Sequence, residues 1–329
     1  MANNIRKGPV VVRWLALLAG VLLAVPASAQ EWPTRTIRVV VPYPAGGPAD
    51  FMGRLAAQKL QEKLGATVVV ENRSGASGTI GAEMVRQAAP DGYTFLAAPS
   101  VHVLGRQVVK AVPYDPVGDF TPIARYGEGP LVVLANPSAV EGKTIAEALP
   151  AIRRKPDDFR FGLSALGAAN HLAVLEFNRL TNLNLQIIPY RGSAPALTDL
   201  ISGQVQLMID PIITALPLVQ GGQLRALAVA SAKRSSVLPE VPTAAESGLA
   251  GLDFSSWYGF WGPKNLPRDI VARANAVLTE GMREPAVIEK LKGLGFEPVS
   301  SSPEEFSRFI ASDVARNTAL LSATNYQPQ

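Results

Sequence analysis

The sequence predicts an α/β fold, two α/β domains with mostly parallel sheets joined by a two-stranded hinge. Three observations lead there. Short apolar runs alternate with helical patterns through most of the chain, the order that packs helices over parallel strands. Several of these runs stop at a loop of Gly, Ala, Ser and Pro directly before a helix. Two irregular passages, near 99–130 and 235–253, interrupt the alternation and divide the chain into three parts. The simplest packing is a discontinuous first domain (30–128 and 254–329) with a second domain (129–253) inserted, so that two chain crossings form the hinge. A contiguous two-domain arrangement stands beside it, because sequence cannot pair the third part with the first.

The elements follow in order. Arg6, Lys7 and Arg13 precede the apolar run Trp14–Val25, and Ala27-Ser28-Ala29 follows. A basic region, an apolar stretch too short to span a bilayer and an A-x-A site form a secretory signal peptide, expected to be cleaved after Ala29. Those three basic residues carry most of the +4 formal charge of the 329-residue chain, so the mature protein is left at +1. A nucleic-acid partner needs a dense basic footprint and is excluded on that ground. The chain has no cysteine. A disulfide framework, a thiol nucleophile and a lipid-modified cysteine are therefore ruled out, and a chain that is 47% hydrophobic can build its core without them. The reading is an exported protein of the bacterial periplasm.

Residues 36–41 read as a buried strand, and Phe51, Met52, Leu55, Ala56, Leu60 and Leu64 recur at helical spacing. Gly65 closes that helix. Strand 67–70, a helix over 79–88 and strand 93–97 complete the first part. The prolines at 99, 113, 116, 122 and 130 then exclude helix interiors and central strands, so 99–130 reads as a crossing segment. Alternation restarts with strand 131–135 and a helix opened by the capping box Thr144-Ile145-Ala146-Glu147. Strands over 159–163, 186–188, 205–209 and 224–230 alternate with helices over 171–180 and 194–201. Residues 254–261 are aromatic and extended. Helical patterns cover 268–282 and 286–294. A last helix starts at Ser302-Pro303-Glu304-Glu305, with Ser as N-cap, Pro at N1 and Glu at N3.

Four strand-to-helix loops carry the candidate chemistry. In the first, Pro42–Asp50, Gly46 and Gly47 let a main chain approach a ligand, and the first N–H groups of the following helix lack internal partners. Asp50 either caps that helix or accepts a bond from a ligand. A tight βα turn without a ligand is the other reading. The second, Gly75-Ala76-Ser77-Gly78, is neither a P-loop nor a dinucleotide fingerprint and reads as a packing turn. The third, Phe161–His171, gives the second domain its own bare helix start. Its Ser164 and His171 invite a hydrolase reading, although the G-x-S-x-G elbow is absent. The fourth, Pro189–Ala196, carries Arg191, able to pair with a carboxylate or with a surface acid. Asp210 ends the next strand, as a ligand contact or a helix cap. Two histidines, His102 and His171, leave little for a transition metal. This equipment suits holding a small anion on main-chain N–H groups.

These loops resemble those of the periplasmic solute receptors of tripartite tricarboxylate transporters, the Bug family. The likeness rests on Pro42–Asp50, Glu71-Asn72-Arg73 with Gly75, Gly78 and Gly81, Asp91-Gly92-Tyr93-Thr94 and Tyr114-Asp115-Pro116 with Asp119-Phe120. It continues through Asn170-His171-Leu172, Pro189–Ala196, Gly203-Gln204-Val205, Leu224–Val229 and Trp257-Tyr258-Gly259. The resemblance implies a type II periplasmic-binding-protein fold, two domains closing on a ligand, and no cofactor, metal or catalytic residue. It implies a small carboxylate ligand (a di- or tricarboxylate, an acidic amino acid or an aromatic acid), membrane transporter subunits as partners, and a monomer. The implied ligand contacts are Tyr43, Ala45, Gly46, Gly47 and Asp50; Ser100; Ser164, Gly167, Ala168, Ala169, Asn170 and His171; Tyr190, Arg191 and Gly192; and Asp210. Two departures stand out. Tyr43 replaces a frequent Phe and would bring a hydroxyl into the pocket, and Ala168 replaces a frequent Ser. A secreted hydrolase using Ser164 and His171, or a sensory receptor presenting its ligand to a signalling protein, are the competing readings.

Overall fold

The computed structural model describes residues 32–324 and 326–328. The signal peptide expected over 1–29 lies outside them. The first block is β1 (Ile37–Val41), α1 (Pro48–Leu64), β2 (Val68–Asn72), α2 (Thr79–Arg86) and β3 (Thr94–Pro99). A 3-10 turn (Ser100–Leu104) and the short α3 (Gly105–Val108) lead into β4 (Phe120–Ala135). The second block is α4 (Ile145–Arg154), β5 (Arg160–Leu163), α5 (Ala169–Thr181), β6 (Gln186–Pro189), α6 (Ser193–Ser202), β7 (Leu207–Pro211), α7 (Ile212–Gln220) and β8 (Arg225–Ala230). The chain ends with β9 (Ser255–Pro263), α8 (Arg268–Met282), α9 (Pro285–Gly293), β10 (Glu297–Pro298) and α10 (Pro303–Ala323).

The strands lie in the order β2-β1-β3-β9-β4-β7-β5-β6, with β8 and β10 also paired to β4. β1 runs parallel to β2 and β3, and β5 parallel to β6 and β7. β9 and β4 run antiparallel to their neighbours, so two parallel α/β blocks flank an antiparallel centre. β4 belongs to both blocks. Its residues 120–130 pair with β9, and Leu131–Ala135 pair with β7 and β8. The return crossing lies beside it: Pro130 is opposite Ser255, and the Leu131 N–H donates to the Phe254 carbonyl at 3.2 Å.

The passage 99–130 is thus more than a crossing segment, because its last third, from Phe120, is strand. Pro122 and Pro130 sit within β4 despite lacking a ladder N–H. The ladder yields around them: its register shifts between Pro122 and Ala124 and again between Arg125 and Gly127, as at β-bulges. Pro130 falls where the strand leaves one block for the other.

Successive strand residues enter the cores on opposite faces of the sheet, as a period of two requires. Val40, Leu96, Leu131 and Val133 enter one core, while Val39, Val41, Phe95, Val132 and Leu134 enter the core on the opposite face. Covering both faces with helices explains why the strands read as continuous apolar runs. α10 returns over the centre: Phe306 packs edge-on to Trp257 and 5.2 Å from the Trp261 ring. Its start is the expected capping box, with Ser302 Oγ accepting from the Glu305 N–H and Glu305 accepting from the Ser302 N–H. At α4 only half of the expected box forms. Thr144 accepts from the Glu147 N–H, but the Glu147 carboxylate takes the Lys143 N–H.

Candidate functional site

Three helix starts meet at one cavity. The loop after β1 leads to α1, the loop after β5 to α5 and the loop after β6 to α6. Gly47, Pro48 and Ala49, then Ala168, Ala169 and Asn170, then Gly192, Ser193 and Ala194 line a cavity of about 100 Å³. The leading N–H groups of a helix have no intrahelical acceptor, and the helix dipole adds partial positive charge at each start. An adjoining cleft of about 480 Å³ shares Tyr43, Pro44, Ser164, Ala165, Arg191 and Gly192 with it. Walls come from both blocks, and β9 supplies Ser256 and Tyr258 between them.

Of the residues expected at a ligand, Tyr43, Ala45, Gly47, Ser100, Ser164, Ala168, Ala169, Asn170, Arg191 and Gly192 line the cavity. Tyr190 lines the adjoining cleft. Gly46, Asp50, Gly167, His171 and Asp210 are not on the cavity wall and act from behind it. Asp50 is the clearest change. Gly47 is the N-cap of α1 and Pro48 takes N1, which moves the helix start ahead of Asp50. From the first turn the Asp50 carboxylate reaches back to accept the Gly46 N–H at 3.0 Å, the Asn72 amide at 2.9 Å and Arg54 Nε at 2.9 Å. Burial opposes its ionisation, but the bonds from Arg54, Gly46 and Asn72 outweigh burial and hold it below the usual carboxylate range. Asp50 is therefore not the helix cap; it shapes the loop from within the helix.

Asp210 does the same for the second block. Fully buried, it accepts from Ser164 Oγ at 2.9 Å and Thr214 Oγ1 at 2.6 Å, and it is also bonded to Ser193. Burial lifts its pKa to about 6, against the pull of those three hydroxyls. One carboxylate thereby ties two of the cavity loops together. Ser164 also accepts from the Asn170 amide at 2.8 Å.

The hydrolase pairing does not form. Ser164 is engaged by Asp210 and Asn170, while His171 Nδ1 accepts the Gly167 N–H at 3.0 Å. The His171 ring lies edge-on to Tyr326, 5.0 Å away, and burial lowers its pKa to about 4. Gly167 has φ +76°, and a Cβ there would strike Val108, so this loop fits closely against α3 of the other block. The Tyr43 hydroxyl donates to the Ser77 carbonyl at 3.2 Å rather than standing free, and burial raises its pKa. That bond draws the Gly75–Gly78 loop to the cleft, which it lines, so the loop is more than a packing turn.

Sequence reasoning missed Ser256 and Tyr258. They lie two apart on β9, on the face turned to the cavity, but the aromatic run around them reads as core. Among the described residues Arg191 is the only cation on the cavity wall; its residue is exposed. Among the described residues no cluster of His, Asp and Glu could hold a metal ion, and no helix is long and apolar enough to cross a membrane.

Comparisons with known proteins agree with this architecture. Residues 52–326 match the family model described as the tripartite tricarboxylate transporter family receptor. Protein BugT of Bordetella pertussis is 36% identical over 89% of this chain and 90% of its own length. An R. palustris protein solved with adipate is 35% identical with a TM-score of 0.87, covering 91% of this chain and all of that one. The periplasmic binding protein BugD (33%, TM-score 0.85, 91% and 100% covered) is also similar. So is MatC of Rhodopseudomonas palustris with bound malate (31%, TM-score 0.82, 88% and 100% covered). The chain therefore belongs to the tripartite tricarboxylate transporter receptor family, a family of periplasmic solute-binding proteins and not of enzymes.

Proposed function

We propose that the mature protein captures a small organic carboxylate between its two blocks, closes on it, and delivers it to the membrane subunits of a tripartite tricarboxylate-type transporter. One observation carries this reading: three helix N-termini, from both sides of the cleft, face one cavity whose wall, among the described residues, holds a single, exposed cation. Main-chain N–H groups and helix dipoles are a ready-made anion site. The relatives solved with adipate and malate support a carboxylate as the ligand class.

The domains follow the same reading: 30–128 with 254–329 on one side, 129–253 on the other, and paired crossings at Pro130 and Ser255 as the hinge. At that hinge the Leu131 N–H donates to the Phe254 carbonyl and the Phe254 N–H to the Ala230 carbonyl, which holds the two crossings side by side as rigid-body closure about them requires. Ligand contacts are assigned to Tyr43, Ala45, Gly47, Ser100, Ser164, Ala168, Ala169, Asn170, Tyr190, Arg191 and Gly192. Gly46, Asp50, Gly167, His171 and Asp210 hold the loops that carry them. Export to the periplasm after cleavage at Ala29 completes the account.

The test is mass spectrometry of the ligand released from purified mature protein, then calorimetry with a carboxylate panel. The expected result is stoichiometric binding of an acid without turnover. Turnover of a bound ester or acid, or binding of no anion, contradicts it.

A further inference from the structure

We propose that Tyr258 is a specificity-determining residue: its phenol O–H donates to a second oxygen-bearing end of the ligand, so that the site selects diacids over monocarboxylates. The inference rests on the carboxylate-receptor reading and deepens it. Tyr258 is 2% exposed yet lines the cavity. Its hydroxyl accepts from Ser256 Oγ at 3.2 Å, and no acceptor for its own proton is found among the described residues. A buried donor without an acceptor is costly, so a ligand acceptor is the natural partner.

The surroundings fix the ligand's chemistry further. Much of the cavity lining is carbon: Pro44, Ala45, Pro99, Leu131, Ala168 and Pro211. That wall suits a short apolar middle. Nearby Asp210 also opposes ionisation of the Tyr258 phenol, which burial already disfavours, so the phenol remains a donor. A ligand with two acceptors can meet both the helix starts and the Tyr258 phenol, which line the same cavity.

Calorimetry tests this with succinate, glutarate and adipate, each against butyrate, pentanoate or hexanoate of the same length. The wild type is expected to bind at least one diacid about tenfold or more tighter than its monoacid, the worth of a hydrogen bond to a charged group. Tyr258→Phe keeps the ring beside Phe296, and is expected to weaken that diacid about tenfold and leave the monoacid within about twofold. Ser256→Ala, which frees the phenol to rotate, is expected to weaken the diacid alone by a smaller factor. A wild type without diacid preference overturns the proposal whatever the variants do, as does equal weakening of diacid and monoacid in Tyr258→Phe. Binding of acids with the preference absent fails this inference alone; binding of none of the six overturns it, and the panel with released-ligand mass spectrometry then decides the receptor reading.

Discussion

Asp50 and Asp210 are two buried carboxylates with opposite electrostatics and the same task. Asp50 is charged and accepts three donors, so removing it leaves the Gly46 N–H without its acceptor and the Asn72 amide with only its bond to the Tyr43 carbonyl. Asp50→Ala is expected to lower stability by about 1–3 kcal/mol in urea unfolding and to speed amide exchange in 44–47. An unchanged midpoint contradicts that role. Asp210 gives a signed pH dependence. Its folded pKa of about 6 lies above the ordinary 3.8, so the native state binds its proton more readily than the unfolded chain. Its contribution is complete below pH 3.8 and is lost as pH rises through 6. The melting temperature of Asp210→Asn relative to wild type is therefore expected to rise between pH 4 and pH 7. A flat difference refutes the assignment. His102 has the reverse sign. Its ring is buried against Phe120 and Trp261, and burial lowers its pKa from 6.5 to about 3. Stability is lost as pH falls below 6.5, and His102→Phe is expected to flatten that acid limb in thermal melts at pH 4–7.

At the scale of elements, legibility followed from how local the signal is. The capping box at Ser302 needs only four residues, and it forms as read. β1, α8 and α9 also lie close to their expected spans, because apolar spacing and flanking Pro or Gly determine them. β4 was not legible in its first half. Its prolines are local signals against a strand, and the bulges that accommodate them depend on the partner strand β9. The loops of the site were legible as Gly- and Ala-rich helix starts. Asp50 was misplaced by one turn because Pro48 moved the start, and Tyr258 was hidden because a cavity-facing phenol and a core aromatic look alike in sequence. α10 offers an element-scale test. Phe306 is fully buried against Trp257 and Trp261, and Phe306→Ala is expected to cost about 3–5 kcal/mol in denaturant unfolding. A loss below about 1 kcal/mol would mean that α10 is only loosely held.

For the whole molecule the central claim is that the ligand carboxylate is held by helix N-termini gathered from both blocks, and not by a side-chain cation. Arg191 is the residue that separates these possibilities, because among the described residues no other Lys or Arg lines the cavity. A bidentate Arg–carboxylate pair would dominate binding if it formed there. The decisive measurement is a calorimetric titration of wild type and Arg191→Ala with the acid identified by mass spectrometry. The account predicts that Arg191→Ala keeps its affinity within about threefold, a change of under 1 kcal/mol. Loss of binding by a factor of about a hundred or more, with the fold intact, would contradict it.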